Sequence, residues 1–140
     1  MNEYSIGEAS QVAGVKVPTI RYYEQIGLLA SARRTEGNRR SFTEEDVGRL
    51  SFIRHARELG FDIDAIKTLI SLQDNPNQSC EVADAVARKH LADVTDRIGR
   101  LNALKDELER MIDQCASGHV GECRVMQILA DPSHDHGKLA

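Results

Sequence analysis

Cys115 and Cys123 bound the stretch CASGHVGEC, with His119 and two glycines between them. Thiolate sulfur and imidazole nitrogen are the donors that capture zinc and softer metal ions. The chain holds one further cysteine, Cys80. An odd set of three thiols reads as metal ligands or reactive thiols rather than a disulfide framework when nothing points to an oxidising compartment. The C-x7-C spacing lacks the tight C-x-x-C knuckle of a structural zinc site, and two cysteines across a glycine-containing loop suit a site that orders when metal arrives. A thiol redox role competes with this reading, but no C-x-x-C motif or adjacent base activates either thiol. His134 and His136, in the polar segment DPSHDHGKLA, are candidates for a second ion or simply exposed; His55 and His90 read as surface or packing residues.

The second constellation is cationic. Within ASARRTEGNRR, Arg33, Arg34, Arg39 and Arg40 stand against the single Glu36, and Arg49, Arg54 and Arg57 follow. The formal net charge of −4 argues against indiscriminate coating of nucleic acid, but net charge averages over regions that differ. Upstream, IGEASQVAGVKVPTIRYYEQI reads as two short helices around Gly14, with Ala9, Val12 and Ala13 on one stripe and Pro18 in the first turn of the second helix. Two helices about a tight turn can present Thr19, Arg21 and Tyr22 to a DNA groove while nearby cations hold phosphates. The competing interpretation is an arginine-rich loop solvated over a helical core. One of Tyr22 and Tyr23 belongs to the core, because adjacent helical residues face different directions.

The elements that must position these residues are mainly helical. Aromatic residues make up 4% of the chain and tryptophan is absent, which disfavours a β-sandwich or barrel, while 41% hydrophobic against 29% charged residues suits a soluble protein. The opening residues lack the charged and apolar regions of a secretory leader, and no apolar run is long enough to span a membrane; the cytoplasm is the expected compartment. After Gly27, Glu-Gly-Asn marks a turn between two short strands, Leu28 to Arg34 and Arg39 to Phe42, a hairpin wing. Thr43 caps a helix with apolar positions Val47, Leu50, Ile53 and Leu59 that ends at Gly60; Asp62 caps another carrying Ile63, Ile66, Leu69 and Ile70; QDNPNQS then breaks the pattern. The expected domains are residues 1–75, 76–114 and 115–140.

From Glu81 to Asp113 there is no proline, and apolar residues recur from Ala87 through Leu91, Val94, Ile98, Leu101, Leu104 and Leu108 to Met111. The spacing is close to a heptad seam and predicts a helix roughly 50 Å long. A single apolar stripe of that length needs a partner helix, and a homodimer supplies one. The same helix separates Cys80 from Cys115 within one chain, so they cannot share a metal there. In an antiparallel pair the start of one helix lies beside the end of the other, and Cys80 of one copy meets the Cys115–Cys123 loop of its partner. A helix N-terminus favours the anionic ligand that Cys80 would be.

YSIGEASQVAGVKVPTIRYYEQIGLL, then RTEGNRRSFTEEDVGRLSFIRHARELGF, then a proline-containing loop, a cysteine and a long helix together resemble the MerR family of transcriptional regulators over residues 4–130. The resemblance implies a winged helix-turn-helix domain, an antiparallel coiled-coil homodimer and a short metal-binding loop and helix. It implies binding to double-stranded promoter DNA with an over-long spacer between the elements read by RNA polymerase, and no enzymatic activity. By position it assigns Arg21 and Tyr22 on the recognition helix, Arg34 and Arg40 on the wing and Arg54 beyond it to DNA contact; Thr19 and Asn38 join them as candidates.

In metal-sensing members a cysteine pair brackets the terminal loop, as Cys115 and Cys123 do here. Copper(I) sensors have serine where this chain has Cys80, and a third thiolate better neutralises a divalent ion. The resemblance therefore implies a regulator of an efflux or detoxification promoter responding to zinc, cadmium or lead. His119 matches a zinc-sensor ligand position and favours zinc; a copper(I)-responsive or redox-responsive regulator is the alternative. Arg39 stands where the family often has an aromatic residue and Phe42 where it often has tyrosine, so no phosphate contact from a hydroxyl at position 42 is available. The prolines common after Gly-Leu-Leu are missing.

Overall fold

The computed structural model describes residues 3–30, 33–34, 40–114 and 118–135. They form two compact units, Met1–Val86 and Ala87–Ala140. The first opens with strand β1 (Glu3–Tyr4) and helices α1 (Ile6–Ala13) and α2 (Val17–Gln25). Strands β2 (Arg33–Arg34) and β3 (Arg40–Thr43) precede helices α3 (Glu44–Glu58) and α4 (Ile63–Gln73).

Local chemistry explains where these helices start and stop. Ser5 Oγ accepts the Glu8 amide at 3.1 Å while the Glu8 carboxylate accepts the Ser5 amide at 3.1 Å, a reciprocal cap on α1. Thr43 and Asp46 do the same for α3, at 3.1 and 2.9 Å. Asp62 caps α4 by accepting the Ala65 amide at 2.7 Å. Caps of this kind contribute about 1 kcal/mol each. Gly14, at φ 71°, ends α1 in the left-handed conformation that a side chain resists, and Pro18 lies in the first turn of α2.

The core gathers Ala9 and Ala13 from α1, Ile20 and Tyr23 from α2, Phe42 from β3, Leu50 and Ile53 from α3, and Ile66 and Ile70 from α4. It fixes α2 against α1 and α3, and thereby decides which face of α2 meets solvent. Three features depart from the sequence reading. Strand β1 is unanticipated: it pairs antiparallel with β3, Glu3 opposite Thr43 and Tyr4 opposite Phe42, giving sheet order β1-β3-β2. Leu28 and Leu29 are not strand residues. Their amides return to the Tyr23 carbonyl at 2.9 and 3.3 Å, wrapping the end of α2 and burying both side chains. Val12 and Leu59 are exposed rather than core. Ala9 and Ala13, four residues apart, define the buried stripe of α1, and Leu59 lies past the last residue of α3, where Ala56 has already taken the inner position.

Helix α5 runs unbroken over Glu81–Asp113, 33 residues, beginning in the first unit and continuing into the second. Most of its apolar stripe meets solvent: Leu91 is 63% and Ile98 52% exposed, and Leu101 and Leu108 are exposed too. Met111 is the one buried residue described in the second unit. A 3-10 turn (Val120–Glu122) and helix α6 (Arg124–Ala130) follow. No helix among the described residues is long and apolar enough to cross a membrane.

Candidate nucleic-acid interface and metal ligands

The two tyrosines of α2 divide as adjacent helical residues must: Tyr23 is 8% exposed and Tyr22 50%. Arg21 and Gln25 are exposed beside Tyr22, whereas Ile20 is fully buried. The outward face of α2 is therefore polar and aromatic, with one cation, held by an apolar inner face. Thr19 is half-buried and lines a cleft of about 340 Å³ with Gly14, Lys16, Tyr23, Arg54 and Arg57. Lys16 is a cation that sequence reasoning misses. Its signal is positional: it directly precedes α2, makes no capping bond with its side chain and has an extended backbone, so it presents a positive charge where a recognition helix begins.

Arg54 is tied into this cleft. Its Nε donates to the Ala13 carbonyl at 3.0 Å and its guanidinium pairs with Glu58 at 2.7 Å. A Cβ at Gly14 would lie 3.5 Å from the Arg54 Cδ and Nε, an ordinary contact, so the positive φ rather than the Arg54 side chain calls for glycine there. Arg57 donates to the Phe61 carbonyl at 2.9 Å, and Arg49 bonds Asp74 at 2.5 Å. The arginines of α3 thus do not form one free cationic patch, as their closeness in sequence suggests. Arg49 and Arg54 lie roughly 140° apart around the helix, and Arg49 is spent on the end of α4. Across the hairpin, Arg34 pairs in register with Arg40, and Arg33 with Ser41. Asn38 lies outside the described residues.

Neither Cys80, which is exposed, nor Cys123, which is half-buried, is joined in a disulfide. The Cys80 carbonyl accepts the Asp84 amide at 2.8 Å, so Cys80 stands at the N-terminal boundary of α5. It also lines a groove of about 340 Å³ with Phe52, Leu69, Leu72, Pro76 and Ala83. Cys123 lies between the 3-10 turn and α6, and His119, exposed, immediately precedes that turn. Cys115 and His136 lie outside the described residues. Among the described residues no three His, Cys, Asp or Glu side chains converge as a metal cluster. The donor set itself, sulfur with imidazole and accessible thiols, fits a borderline or soft ion.

The profile of the MerR HTH family regulatory protein matches residues 4–73, half of the chain. The chain belongs to the MerR family. A second profile, MerR, DNA binding, matches residues 47–111. Among similar MerR-family proteins, heavy metal-dependent transcription regulator 2 of Rhizobium meliloti (strain 1021) is 36% identical over 92% of this chain and 88% of its own. The HTH-type transcriptional regulator ZntR of Escherichia coli (strain K12) is 40% identical over 80% of each chain. The crystal structure of the transcription regulator PbrR691 from Ralstonia metallidurans CH34 in complex with lead(II) superposes with a TM-score of 0.79 at 35% identity, covering 90% of this chain and 98% of that one. These relatives are transcription regulators rather than enzymes, and the wing, α2 and the long α5 of this chain are parts of a MerR-type helix-turn-helix regulator.

His134 has a role that sequence reasoning leaves open between ligand and exposed residue. Its Nε2 lies 2.8 Å from Glu107 Oε1. Arg110 bonds the other Glu107 oxygen at 2.6 Å. These two hydrogen bonds, that of Arg110 first, hold the Glu107 carboxyl below its ordinary value of 4.5.

Proposed function

We propose that this chain is a metal-responsive regulator of transcription that binds promoter DNA as a homodimer and senses a divalent ion, zinc first and cadmium or lead next. The observation that carries the reading is the arrangement along α5. Cys80 opens an uninterrupted helix of 33 residues, and the segment carrying His119 and Cys123 follows its end. Its apolar stripe is exposed over Leu91, Ile98, Leu101 and Leu108. Antiparallel pairing of two such helices covers the stripe and brings the thiol of Cys80 in one copy to Cys115 and Cys123 of the other, with His119 as a further donor. Three thiolates and an imidazole neutralise and coordinate a divalent borderline ion.

The relatives' names and the lead complex support the metal class. For DNA, Arg21 and Tyr22 on the open face of α2 address the major groove, with Thr19 and Lys16 at its entry. Arg34, Asn38 and Arg40 on the wing address phosphates, while Arg54 braces the helix-turn-helix and offers its remaining N–H groups. Residues 1–75 supply the DNA-binding domain, 76–114 the linker and dimerisation helix, and 115–140 the metal loop and α6. The regulated promoter serves metal efflux or detoxification, and RNA polymerase is the partner whose access changes.

Transcription in vitro from the chain's own promoter, with zinc, cadmium, lead or copper(I) buffered at known free concentrations, tests the reading. Divalent ions should activate and copper(I) should not. Equal response to copper(I) transfers the assignment to a monovalent sensor, and no response to any ion removes it.

A further inference from the structure

The second unit contains two side-chain bonds that no part of the proposed metal set or DNA interface uses. Arg124 Nε donates to Gln114 Oε1 at 2.9 Å, and His134 Nε2 meets Glu107 Oε1 at 2.8 Å. Along α5 the partners run backwards from 114 to 107 while the later segment runs forwards from 124 to 134. Helix α6 and the residues that follow it to His134 therefore run antiparallel to the last two turns of α5. Glu107, Met111 and Gln114 share one face at heptad spacing. Between the two polar bonds Met111 is buried, and Val125 and Ile128 on α6 are half-buried. Glu107 is only 14% exposed, low for a carboxylate on an otherwise solvated helix.

We infer that the Glu107–His134 bond is a clasp that, together with Gln114–Arg124, closes the end of α5 and α6 into a helical hairpin and sets where Cys123 stands, making Glu107 and His134 positioning residues for metal capture. The inference rests on the proposed sensing role of Cys123. Its physical basis is pre-organisation. Cys123 adjoins Arg124, so its sulfur starts from a backbone tied to α5 through Gln114, and the Glu107–His134 bond keeps α6 along α5 so that this tie stays in place. A donor on a backbone that is already held loses less freedom when an ion binds than one on a backbone free to move.

Hydrogen exchange in the metal-free, full-length protein reads the clasp by itself. Glu107→Ala and His134→Ala should each accelerate exchange across residues 124–135, and the double variant should go no further, because both remove the same bond. Unchanged exchange in either single variant overturns the clasp. Cadmium titration against a competing chelator, followed by the thiolate-to-cadmium absorption, reads its effect on the site. Each variant should lose about tenfold in affinity, the low end for removing a group that orients a metal ligand. Absorption per bound ion should stay constant, since no sulfur is lost. His134→Gln, whose amide N–H donates to Glu107, should recover most of the affinity. Wild-type affinity in Glu107→Ala alongside a loss in His134→Ala makes His134 a ligand and overturns the positioning role. A wild-type protein that binds no cadmium through sulfur overturns the sensing role instead, and the exchange data still decide whether the clasp exists.

Discussion

Arg54 on α3 reaches the end of α1: its Nε donates to the Ala13 carbonyl at 3.0 Å, across 41 residues of sequence. Ala13 is the last residue of α1, where carbonyls have no partner within the helix. One guanidinium thus satisfies the helix end, packs over Gly14 and holds α3 to the corner that aims α2. Arg54→Ala should lower stability to urea by about 1 kcal/mol, a charged hydrogen bond discounted for partial exposure, and weaken DNA binding as the corner loosens. Arg54→Lys should not restore either, because an ammonium lacks the planar fork that serves Ala13 and Glu58 together. Full restoration by lysine shows that charge alone matters at this position.

The cap of α1 makes a pH-dependent contribution. Glu8 is held below its ordinary value of 4.5, chiefly by accepting the Ser5 backbone amide and then by the Ser5 hydroxyl. A carboxylate whose folded value is depressed contributes stability that is complete above 4.5 and is lost as pH falls through the lower folded value. Asp131, held down by the Ser133 side chain and amide, acts in the same acid range. Glu8→Gln keeps an acceptor for the Ser5 amide, so it should flatten the fall in the unfolding midpoint below pH 4.5 while changing little at neutral pH. An unchanged acid limb in this variant means that Glu8 does not titrate with folding.

Much of the scaffold is legible because its signals are local. Thr43 and Asp62 announce helix starts, Gly14 announces a stop, and the absence of proline carries α5 over Glu81–Asp113 as read. Strand β1 escapes, since its two residues have no periodicity and owe their conformation to pairing with β3. The partners of charged side chains escape for a related reason. Arg49 finds Asp74 at a separation of 25 residues and His134 finds Glu107 at 27, and nothing in a linear reading reports which distant carboxylate a cation will meet. The family resemblance is legible because the IRYYE stretch and the arginine-rich wing fall at characteristic spacing, and the profile match over residues 4–73 bears it out.

Arg40 stands opposite Arg34 in the hairpin register. If both serve phosphates, Arg40→Ala should weaken binding to all sequences alike and lower the slope of log affinity against log salt by about 0.9, the value for one lost phosphate contact on duplex DNA. Fluorescence anisotropy across a salt series, on operator and scrambled duplexes, measures both. An unaltered slope removes Arg40 from the phosphate contacts.

Cys80 lies in the linker before α5, away from α2 and the wing in sequence, so Cys80→Ser should keep promoter affinity within about twofold, the effect of a surface change that touches no contact, and abolish the response to divalent metal. Metal-dependent transcription that persists in this variant removes Cys80 from the site. Mixed dimers resolve the sharing. One chain carrying Cys80→Ser paired with another carrying Cys115→Ser should lose one site and keep the other intact, because both changes fall on the same composite site. Retention of two full sites, or loss of both, contradicts a site built from Cys80 of one copy and the loop of the other.

Metal should change DNA shape more than DNA affinity. A spacer that is too long leaves the two promoter elements on different faces of the duplex, and a dimer bound to both half-sites can realign them by bending and untwisting what lies between. The deformation energy comes from contacts to phosphates flanking the spacer. Two dimer geometries then suffice, one for repression and one for activation. Closing the loop between Cys115 and Cys123 on Cys80 of the partner would bias the pair of α5 helices, and with them the two copies of α2, towards the activating geometry; such a bias is a population shift set by the ion's preference for one state. Footprinting on the natural promoter with and without zinc, beside a binding titration at fixed salt, measures both quantities. The expected result is a hypersensitive position at the spacer centre that appears with zinc, while the dissociation constant moves by less than about tenfold, or ~1.4 kcal/mol. Zinc that releases the protein from its operator, with no distortion at the centre, makes this chain a derepressor and removes the mechanism.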